Sequence, residues 1–304
     1  MLHELDAEIT TTYTNNSPKE LSEIWMHLWP NAYSSGKTAL AKQQYRDGDL
    51  FMYYAIAKDL GGIDGLDFHV NGSDVEWMYD EENPDIAVIK LNTPLYPGES
   101  LEIHTPFKVR IPSGKISRLG HVKQSYQITQ WYPKPAVYDC DGWHAMPYLG
   151  QGEFYSEFGT FDVYITLPDN YTVGATGDMP AGSVDNDAEK LRLDAIDAET
   201  RKHLDEEDND LSFPATSENT KTLHYHQENV HDFAWFADKR YMVLKDQVEL
   251  PHSGRSVTTW AMFTSNEKEL WAKSSDYLNK STFYYSLWNG DYPYNHVTAV
   301  DGTI

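Results

Sequence analysis

The sequence predicts a mainly β protein, in which stacked sheets form a saddle-like β-sandwich that is followed by the first part of a mixed α/β domain. Residues 101–109 and 161–167 alternate apolar and polar side chains, which is the period of a strand with one buried face. Short strand patterns separated by turn residues recur before and after these segments, as is typical of sandwiches and sheet stacks. The helical period of residues 265–288 then indicates a mixed region.

The predicted elements of the first part are short segments. Residues 21–29 carry apolar side chains on both faces, which favours a central strand that is buried on both sides. The polar residues 31–49 predict a loop that contains a short helix at 38–44. Strands are predicted at 66–70 and 86–91, because Gly-Gly and Asn-Gly pairs mark turns in this part of the sequence.

The segment 184–220 interrupts the β pattern, because acidic residues dominate it and aromatic residues are nearly absent. Leu191, Ile196 and Leu204 indicate an amphipathic helix at about 188–207, but the acidic run that follows has no apolar partner. We therefore predict an acidic excursion on the surface that is partly mobile.

Strand patterns return at three places before the last helix: 222–226, 233–244 and 257–263. The helix is predicted at 265–288, with Ser265 or Asn266 as its cap and the Asn289-Gly290 pair as its end. Its predicted inner face recurs at steps of three and four residues: Leu270, Trp271, Ser274, Tyr277, Leu278, Ser281 and Tyr285. The change from strand period to helical period near residue 248 predicts two domains, 1–247 and 248–304.

Composition and charge exclude several classes of function. The chain has 304 residues with 47 acidic and 24 basic side chains, and its formal charge of −23 argues against binding of nucleic acid and of anionic membranes. No run approaches the roughly 20 apolar residues of a membrane span. The first residues lack the pattern of an export signal, and the single cysteine, Cys140, excludes an internal disulfide framework.

An aromatic segment from residue 127 onward precedes the clearest strand. Pro133 and Pro135 each remove a backbone donor, and turn residues follow them in the segment Asp139 to Gly142. The segment is therefore predicted to be an ordered loop or edge strand beside a sheet, where a site can be built.

The run 131–139, WYPKPAVYD in one-letter code, and three further segments at 15–33, 230–238 and 284–302 resemble one family of enzymes. This is the aminopeptidase N and leukotriene A4 hydrolase family of zinc metallopeptidases, which are gluzincins. The likeness is to its bacterial branch, where such a run replaces a Phe-Pro-Cys-Phe-Asp signature. The resemblance implies an amino-terminal β-domain and the start of a thermolysin-like catalytic domain, in an exported bacterial protein of the periplasm or cell surface.

The resemblance also implies an activity, the zinc-dependent removal of residues from the amino ends of peptides. In the family, the last of these segments is followed by a Gly-x-Met-Glu-Asn-like strand and by His-Glu-x-x-His on a helix, and neither motif occurs in this sequence. The chain is expected to be an inactive amino-terminal fragment that supplies one wall of the substrate cleft. Zinc and peptide substrate would be bound only together with the remainder of the catalytic domain.

The candidate substrate-binding residues are Gln124 and Gln127, which precede the aromatic run at a three-residue spacing shared with Gln130. In the resembled family, a Gln or Glu on this strand holds the amino end of the substrate. A side-chain amide suits that role, because its carbonyl accepts from an ammonium group without adding a second buried charge. The alternative is that these residues face solvent. The resemblance also assigns a cleft-wall loop with four members: Trp131, Tyr132, Pro133 and Tyr138.

Two groups of possible metal ligands have simpler interpretations. His224 and His226 lie on one face of a predicted strand and His231 follows, but no fourth ligand is evident and ordinary hydrogen bonds are favoured. Asp139 and Asp141 stand close to His144 like the beginning of a calcium loop. The later Glu of such a loop is missing, so a turn is favoured. No metal ligand is assigned in this chain.

The aromatic content supports an alternative from a different class of function. The chain has 9 Trp and 21 Tyr, and exposed aromatic side chains on a β-sandwich can stack on sugars. A carbohydrate-binding or adhesion module is therefore the second candidate. It does not explain the helical segment 265–288, which a two-domain peptidase does.

Overall fold

The structure is a computed structural model that describes residues 3–152, 154–206 and 210–302. It confirms the mainly β class, with 39% of residues in strands and 20% in helices. Two compact units divide the chain. Unit 1 contains Met1–Val122 and Ile128–Glu157, and unit 2 contains Lys123–Gln127 and Phe158–Thr303. These units do not coincide with the predicted domains, whose boundary near residue 248 stays a prediction.

The elements up to residue 143 are short and mostly extended. In chain order they are β1 (Glu4–Thr14), β2 (Leu21–His27), a 3-10 helix (Trp29–Tyr33), α1 (Ala39–Arg46), α2 (Phe51–Tyr54), β3 (Gly62–Asp64), β4 (His69–Val70), β5 (Ser73–Asp74), β6 (Trp77–Tyr79), β7 (Ile86–Leu95), β8 (Ser100–Arg110), β9 (Gly120–Val122), β10 (Ser125–Ile128), β11 (Lys134–Pro135), β12 (Tyr138–Asp139) and β13 (Gly142–Trp143).

The later elements include the long helices. They are β14 (Gly159–Pro168), β15 (Thr172–Ala175), α3 (Val184–His203), β16 (Thr220–Val230), β17 (Trp235–Asp238), β18 (Met242–Glu249), β19 (Ser256–Phe263), a 3-10 helix (Ser265–Glu267), α4 (Lys268–Trp271), α5 (Ser274–Asn289) and β20 (His296–Val300). No helix in the described ranges is both long enough and apolar enough to cross a membrane.

Unit 1 is built on two sheets. In one, β8 pairs antiparallel with the whole of β1 and also with β3 and β4. Its alternate residues are buried, as the pattern of 101–109 predicts. In the other, β2 lies between β11 and β7, which confirms the predicted central strand. That strand ends at His27 rather than at residue 29, because a 3-10 helix with Pro30 in its first turn begins at Trp29.

Two local predictions in unit 1 have different outcomes. The helix predicted at 38–44 is confirmed as α1, and the Thr38 side chain caps it by accepting from the backbone N–H of Ala41. The strand predicted at 66–70 is wrong for its first three residues, since only His69–Val70 are extended and paired.

Unit 2 contains three groups of strands. β14 pairs with β16, β17 lies between β15 and β10, and β19 lies between antiparallel β18 and parallel β20. The strand predicted at 233–244 is wrong as a single element. The Asp238 side chain accepts from the backbone N–H of Arg240 at 2.8 Å, and this turn separates β17 from β18.

Helix α3 confirms the helix predicted in the acidic segment, and two of its three predicted apolar residues, Ile196 and Leu204, pack against buried clusters. Leu193 is buried against Tyr241, Val243 and Met262, whereas Leu191, predicted on the apolar face, is exposed. This part of the segment therefore has an apolar partner. The acidic run continues into residues 207–209, which lie outside the described residues, and the mobility of 184–220 stays a prediction.

The helix predicted at 265–288 is divided into a 3-10 turn, α4 and α5. Its end at Asn289 with Gly290 following is confirmed, and Gly290 has a positive φ of 97°. Two residues of the predicted inner face, Trp271 and Leu278, pack against the buried cluster of Leu244, Ala261 and Phe263 as predicted. Tyr277 and Tyr285, predicted on the same face, are exposed, and the buried residues of α5 are Thr282 and Ser286. Trp288 is also exposed, at 70%.

Candidate functional site

The candidate site is centred on Gln127, in the strand of unit 2 that pairs with β17. Its side chain is 3% exposed, so the alternative of a solvent-facing residue is wrong at this position. The Nε2 atom has no hydrogen-bond acceptor among the described residues. Because a buried amide without its hydrogen bond costs about 1–3 kcal/mol, this donor marks a place where an acceptor is expected to bind.

The Oε1 atom of Gln127 faces Gly302. A Cβ atom placed on Gly302 would lie 3.2 Å from this oxygen, which is closer than ordinary van der Waals contact. A side chain at position 302 would therefore crowd the amide oxygen. This neighbour follows β20 and lies far from Gln127 in the sequence, so no local pattern identified it.

Gln124 has a different environment, although it lies only three residues earlier. The Lys239 ammonium donates to Gln124 Oε1, to the Pro214 carbonyl and to Thr216 Oγ1. The carbonyl of Gln124 is thus already used by an internal cation. The structure separates the two candidates, because of the two only Gln127 is buried with an amide Nε2 donor that has no acceptor in the described ranges.

The predicted cleft-wall loop belongs to unit 1 and is ordered. Tyr132 and Pro133 are buried, and the following Lys134–Pro135 pair with β2. Trp131 packs against the ring of Phe107 with centroids 5.9 Å apart. At the other end of the loop, the rings of Tyr138 and Trp143 contact each other across the β12–β13 hairpin, with centroids 5.0 Å apart. An ordered edge segment is confirmed, and its role as a cleft wall stays a prediction.

The histidines on β16 make ordinary hydrogen bonds. Both His224 Nε2 and His226 Nδ1 lie 2.9 Å from the same carboxylate oxygen of Asp162 on β14. Tyr164 stacks on the His224 ring with centroids 4.3 Å apart. The His231 ring lies beside the Phe158 ring, with centroids 5.7 Å apart. The favoured interpretation of the pair His224 and His226 is therefore confirmed.

The predicted turn around Gly142 is also confirmed. Gly142 has a φ of 105° in the tight β12–β13 connection, and the Asp139 carboxylate contacts His144 Nε2 at 2.7 Å. Asp139, Cys140 and Asp141 are the only three His, Cys, Asp or Glu side chains in the described part of the chain whose ligand atoms could converge on one ion. This exposed, histidine-free group does not fit a catalytic zinc site.

Two cavities of about 250 and 370 Å³ lie along β20 in unit 2. Both are lined by Gly174, His296 and Thr298, and the linings do not include Gln127. The cavities and the unused amide therefore lie at different places. We centre the site on Gln127, because the sequence resemblance assigns it to the substrate and its buried Nε2 donor has no acceptor in the described part of the chain.

Comparison with known proteins gives a fold but no sequence family. No family model and no curated protein matches the sequence. The structure is similar to that of a point variant of an M1 zinc metallopeptidase from Deinococcus radiodurans, with a TM-score of 0.57 and 14% identity, over 98% of this chain and 52% of that chain.

Two further structures of that enzyme give similar values. The unsubstituted M1 zinc metallopeptidase from Deinococcus radiodurans has a TM-score of 0.52 at 14% identity, over 98% of this chain and 52% of that chain. The variant bound to a Tyr-Ser-Ala substrate has a TM-score of 0.53 at 13% identity, over 98% of this chain and 53% of that chain. The chain thus has the fold of the matched part of these enzymes and spans about half of their length.

Proposed function

We propose that this chain is part of a bacterial zinc metallopeptidase of the aminopeptidase type and supplies one wall of its substrate cleft. The M1 fold over 98% of the chain supports this proposal. The observation that carries it is the buried amide of Gln127, with an unused Nε2 donor, in the strand that precedes the aromatic run. The enzyme would be exported, and domains 1–247 and 248–304 would be its β-domain and the start of its catalytic domain.

In this proposal, Gln127 binds the amino end of a peptide. The amide oxygen accepts a hydrogen bond from the peptide ammonium, and Nε2 donates to the carbonyl oxygen of the first residue. The cleft-wall loop from Trp131 to Tyr138 contributes to the pocket for the first side chain. Gln124 is not used, since its oxygen is occupied by Lys239.

Zinc would supply the Lewis acid that activates water for peptide hydrolysis. Because the histidine-free group at Asp139 to Asp141 does not fit this ion, we derive no step through zinc in this chain. Its ligands would belong to the remainder of the catalytic domain, and the chain alone would be inactive. Chelator-sensitive hydrolysis of aminoacyl anilides by the 304-residue chain would contradict this part of the proposal.

The remainder of the catalytic domain is also the proposed partner of helix α5. This helix exposes four large aromatic residues, Tyr277, Tyr284, Tyr285 and Trp288, whereas its buried residues, Thr282 and Ser286, are small and polar. Such an apolar outer face is typical of a surface that another part of a protein covers. The solved enzymes with this fold have about as much chain again beyond the matched part.

The proposed role of Gln127 is tested in a complete enzyme that contains this chain. Replacing Gln127 by Ala is expected to lower kcat/KM for an aminoacyl anilide about 10- to 100-fold, because a hydrogen bond to a charged group is lost. Gln124→Ala is the matched control, with the same truncation three residues away, and it should leave kcat/KM nearly unchanged. Equal effects of the two substitutions, or no effect of the first, would contradict the assignment.

The carbohydrate-binding alternative rests on a separate surface in unit 1. Tyr53 and Tyr54 are adjacent and are 67% and 73% exposed, so their rings are accessible for stacking on sugars. Retention of the chain on a polysaccharide, abolished by alanine at both positions, would favour this function. The peptidase proposal is preferred, because it also explains the buried amide of Gln127.

A further inference from the structure

The larger cavity of unit 2, of about 370 Å³, is bordered by β15, helix α3 and the strands β19 and β20. Its size is within the range of sites that hold a small molecule, about 300–1,000 Å³. β15 packs closely on the neighbouring sheet at Gly174, where a Cβ atom would lie 2.9 Å from Met262 Sδ and 3.1 Å from Val300 Cγ2. The cavity is therefore bounded on one side by a contact that leaves no room for a larger residue.

The interior wall of this cavity is apolar and is held by the core. Val173, Leu193 and Met262 line it and are 3% exposed or less. Met179 and Trp260 also line it, and they pack against the core cluster that contains Leu193 and Met262. Because packing fixes these side chains, the wall can receive an apolar ligand without rearrangement.

Two ammonium groups border the same cavity. Lys190 on α3 and Lys245 on β18 both line it. Lys245 Nζ donates to Asp194 at 2.6 Å and lies 4.9 Å from the centre of the Trp260 ring. The ion-pair contact of Lys190 in the described part of the chain is with Asp187 at 3.7 Å, which is longer than a hydrogen bond. Lys190 is thus a cation that can donate to a second anion.

Asp178 is the one acidic residue in the described lining of the cavity, and its carboxylate is already hydrogen-bonded. Asn295 Nδ2 donates to one oxygen at 2.7 Å, and His296 Nδ1 contacts the other at 3.0 Å. The chain as a whole has 47 acidic and 24 basic residues. At physiological salt, charges beyond about 8 Å are largely screened, so the nearby ammonium groups outweigh the distant acidic groups at this cavity.

We propose that this cavity binds a small carboxylic acid with an apolar body, such as a medium-chain fatty acid. The apolar body lies against Leu193, Met262 and Trp260, and the carboxylate accepts from Lys190. Burial of the apolar body supplies affinity, and the ammonium group supplies the preference for an anion. This inference does not involve Gln127 and goes beyond the proposed peptidase function, so its failure would leave that function untouched.

Isothermal titration calorimetry of the 304-residue chain at pH 7 compares octanoate with octanol, which has a similar apolar body without the charge. The unsubstituted chain is expected to bind octanoate about tenfold more tightly than octanol. Lys190→Gln should weaken octanoate binding about tenfold and leave octanol binding unchanged, because the ammonium acts only on the carboxylate. Lys202→Gln is the matched control, since Lys202 lies on the same helix, pairs with Glu199 and is not among the lining residues.

The substitution Met179→Trp tests where the ligand lies. A larger side chain on the wall is expected to fill the space and to abolish binding of both octanoate and octanol. Retained octanoate binding by this variant, or no binding of octanoate by the unsubstituted chain, would overturn the proposal. Equal binding of octanoate and octanol, or equal effects of Lys190→Gln and Lys202→Gln, would do the same. The comparison of the two lysine variants decides the matter even where Met179→Trp fails to fold, because Lys190 is a partly exposed side chain.

Discussion

Replacing Glu189 by Gln is expected to destabilise the folded protein by about 3 kcal/mol, because it breaks a buried ion pair. Glu189 lies on α3 and accepts from Lys221 Nζ at 2.6 Å, and the two side chains are 1% and 8% exposed. Arg192 donates to the same carboxylate at 2.9 Å. Without the negative charge, the buried ammonium of Lys221 keeps only hydrogen bonds such as the one to the Tyr171 carbonyl.

The size of this effect should depend on pH. Burial already lowers the pKa of Lys221 below its ordinary value of 10.5, although Glu189 opposes the shift. Loss of Glu189 lowers that pKa further. The destabilisation is therefore complete below the folded-state pKa of Lys221 in the variant. It becomes smaller as the pH rises through the folded-state pKa of Lys221 in the unsubstituted protein, because a deprotonated Lys221 needs no counter-charge.

Urea unfolding of the Glu189→Gln variant at pH 7 and pH 9.5 measures both effects. Adding Lys221→Met to the variant should recover part of the stability, because it removes the uncompensated cation. Glu199→Gln is the control on the same helix, where the carboxylate is exposed beside Lys202, and it should change stability little. An unfolding midpoint of Glu189→Gln equal to that of the unsubstituted protein would show that the pair contributes nothing.

The unsubstituted protein is expected to lose about 2.5 kcal/mol of stability between pH 6.5 and 4.5 through His27 alone. Burial, together with the nearby Lys134 ammonium, lowers the pKa of His27 from 6.5 to about 3. His27 Nδ1 has no hydrogen-bond partner in the described part of the chain. In this pH range the unfolded chain takes up a proton that the folded chain excludes, so stability is present above pH 6.5 and is lost on acidification.

The substitution His27→Phe tests this, because it keeps a ring that stacks on Trp29, now 4.6 Å from the imidazole. Asp85 acts in the opposite direction, since burial raises its pKa to about 6 and its folded form gains a proton as the pH falls. It is present in both proteins, so the difference between their pH profiles isolates His27. Parallel profiles of the two proteins from pH 6.5 to 4.5 would exclude the proposed contribution.

Much of the local structure follows from the sequence by itself. The alternation of residues 101–109 determines which side chains of β8 are buried, because successive residues of a strand point to opposite faces. The ends of two helices also follow from local residue preferences, since Thr38 caps α1 through its side chain and Gly290 follows α5 with a positive φ. In each case the preference arises within one strand or one turn of backbone.

The tertiary structure alone decided which of two leucines in α3 is buried and which glutamine is available. Leu193 rather than Leu191 is buried in α3, because Tyr241 and Val243 pack on that side. Gln124 and Gln127 are the same residue type three positions apart, and they differ only in their distant neighbours. Lys239 donates to the first and Gly302 lies beside the second, and such contacts depend on residues that the chain brings together only when it folds.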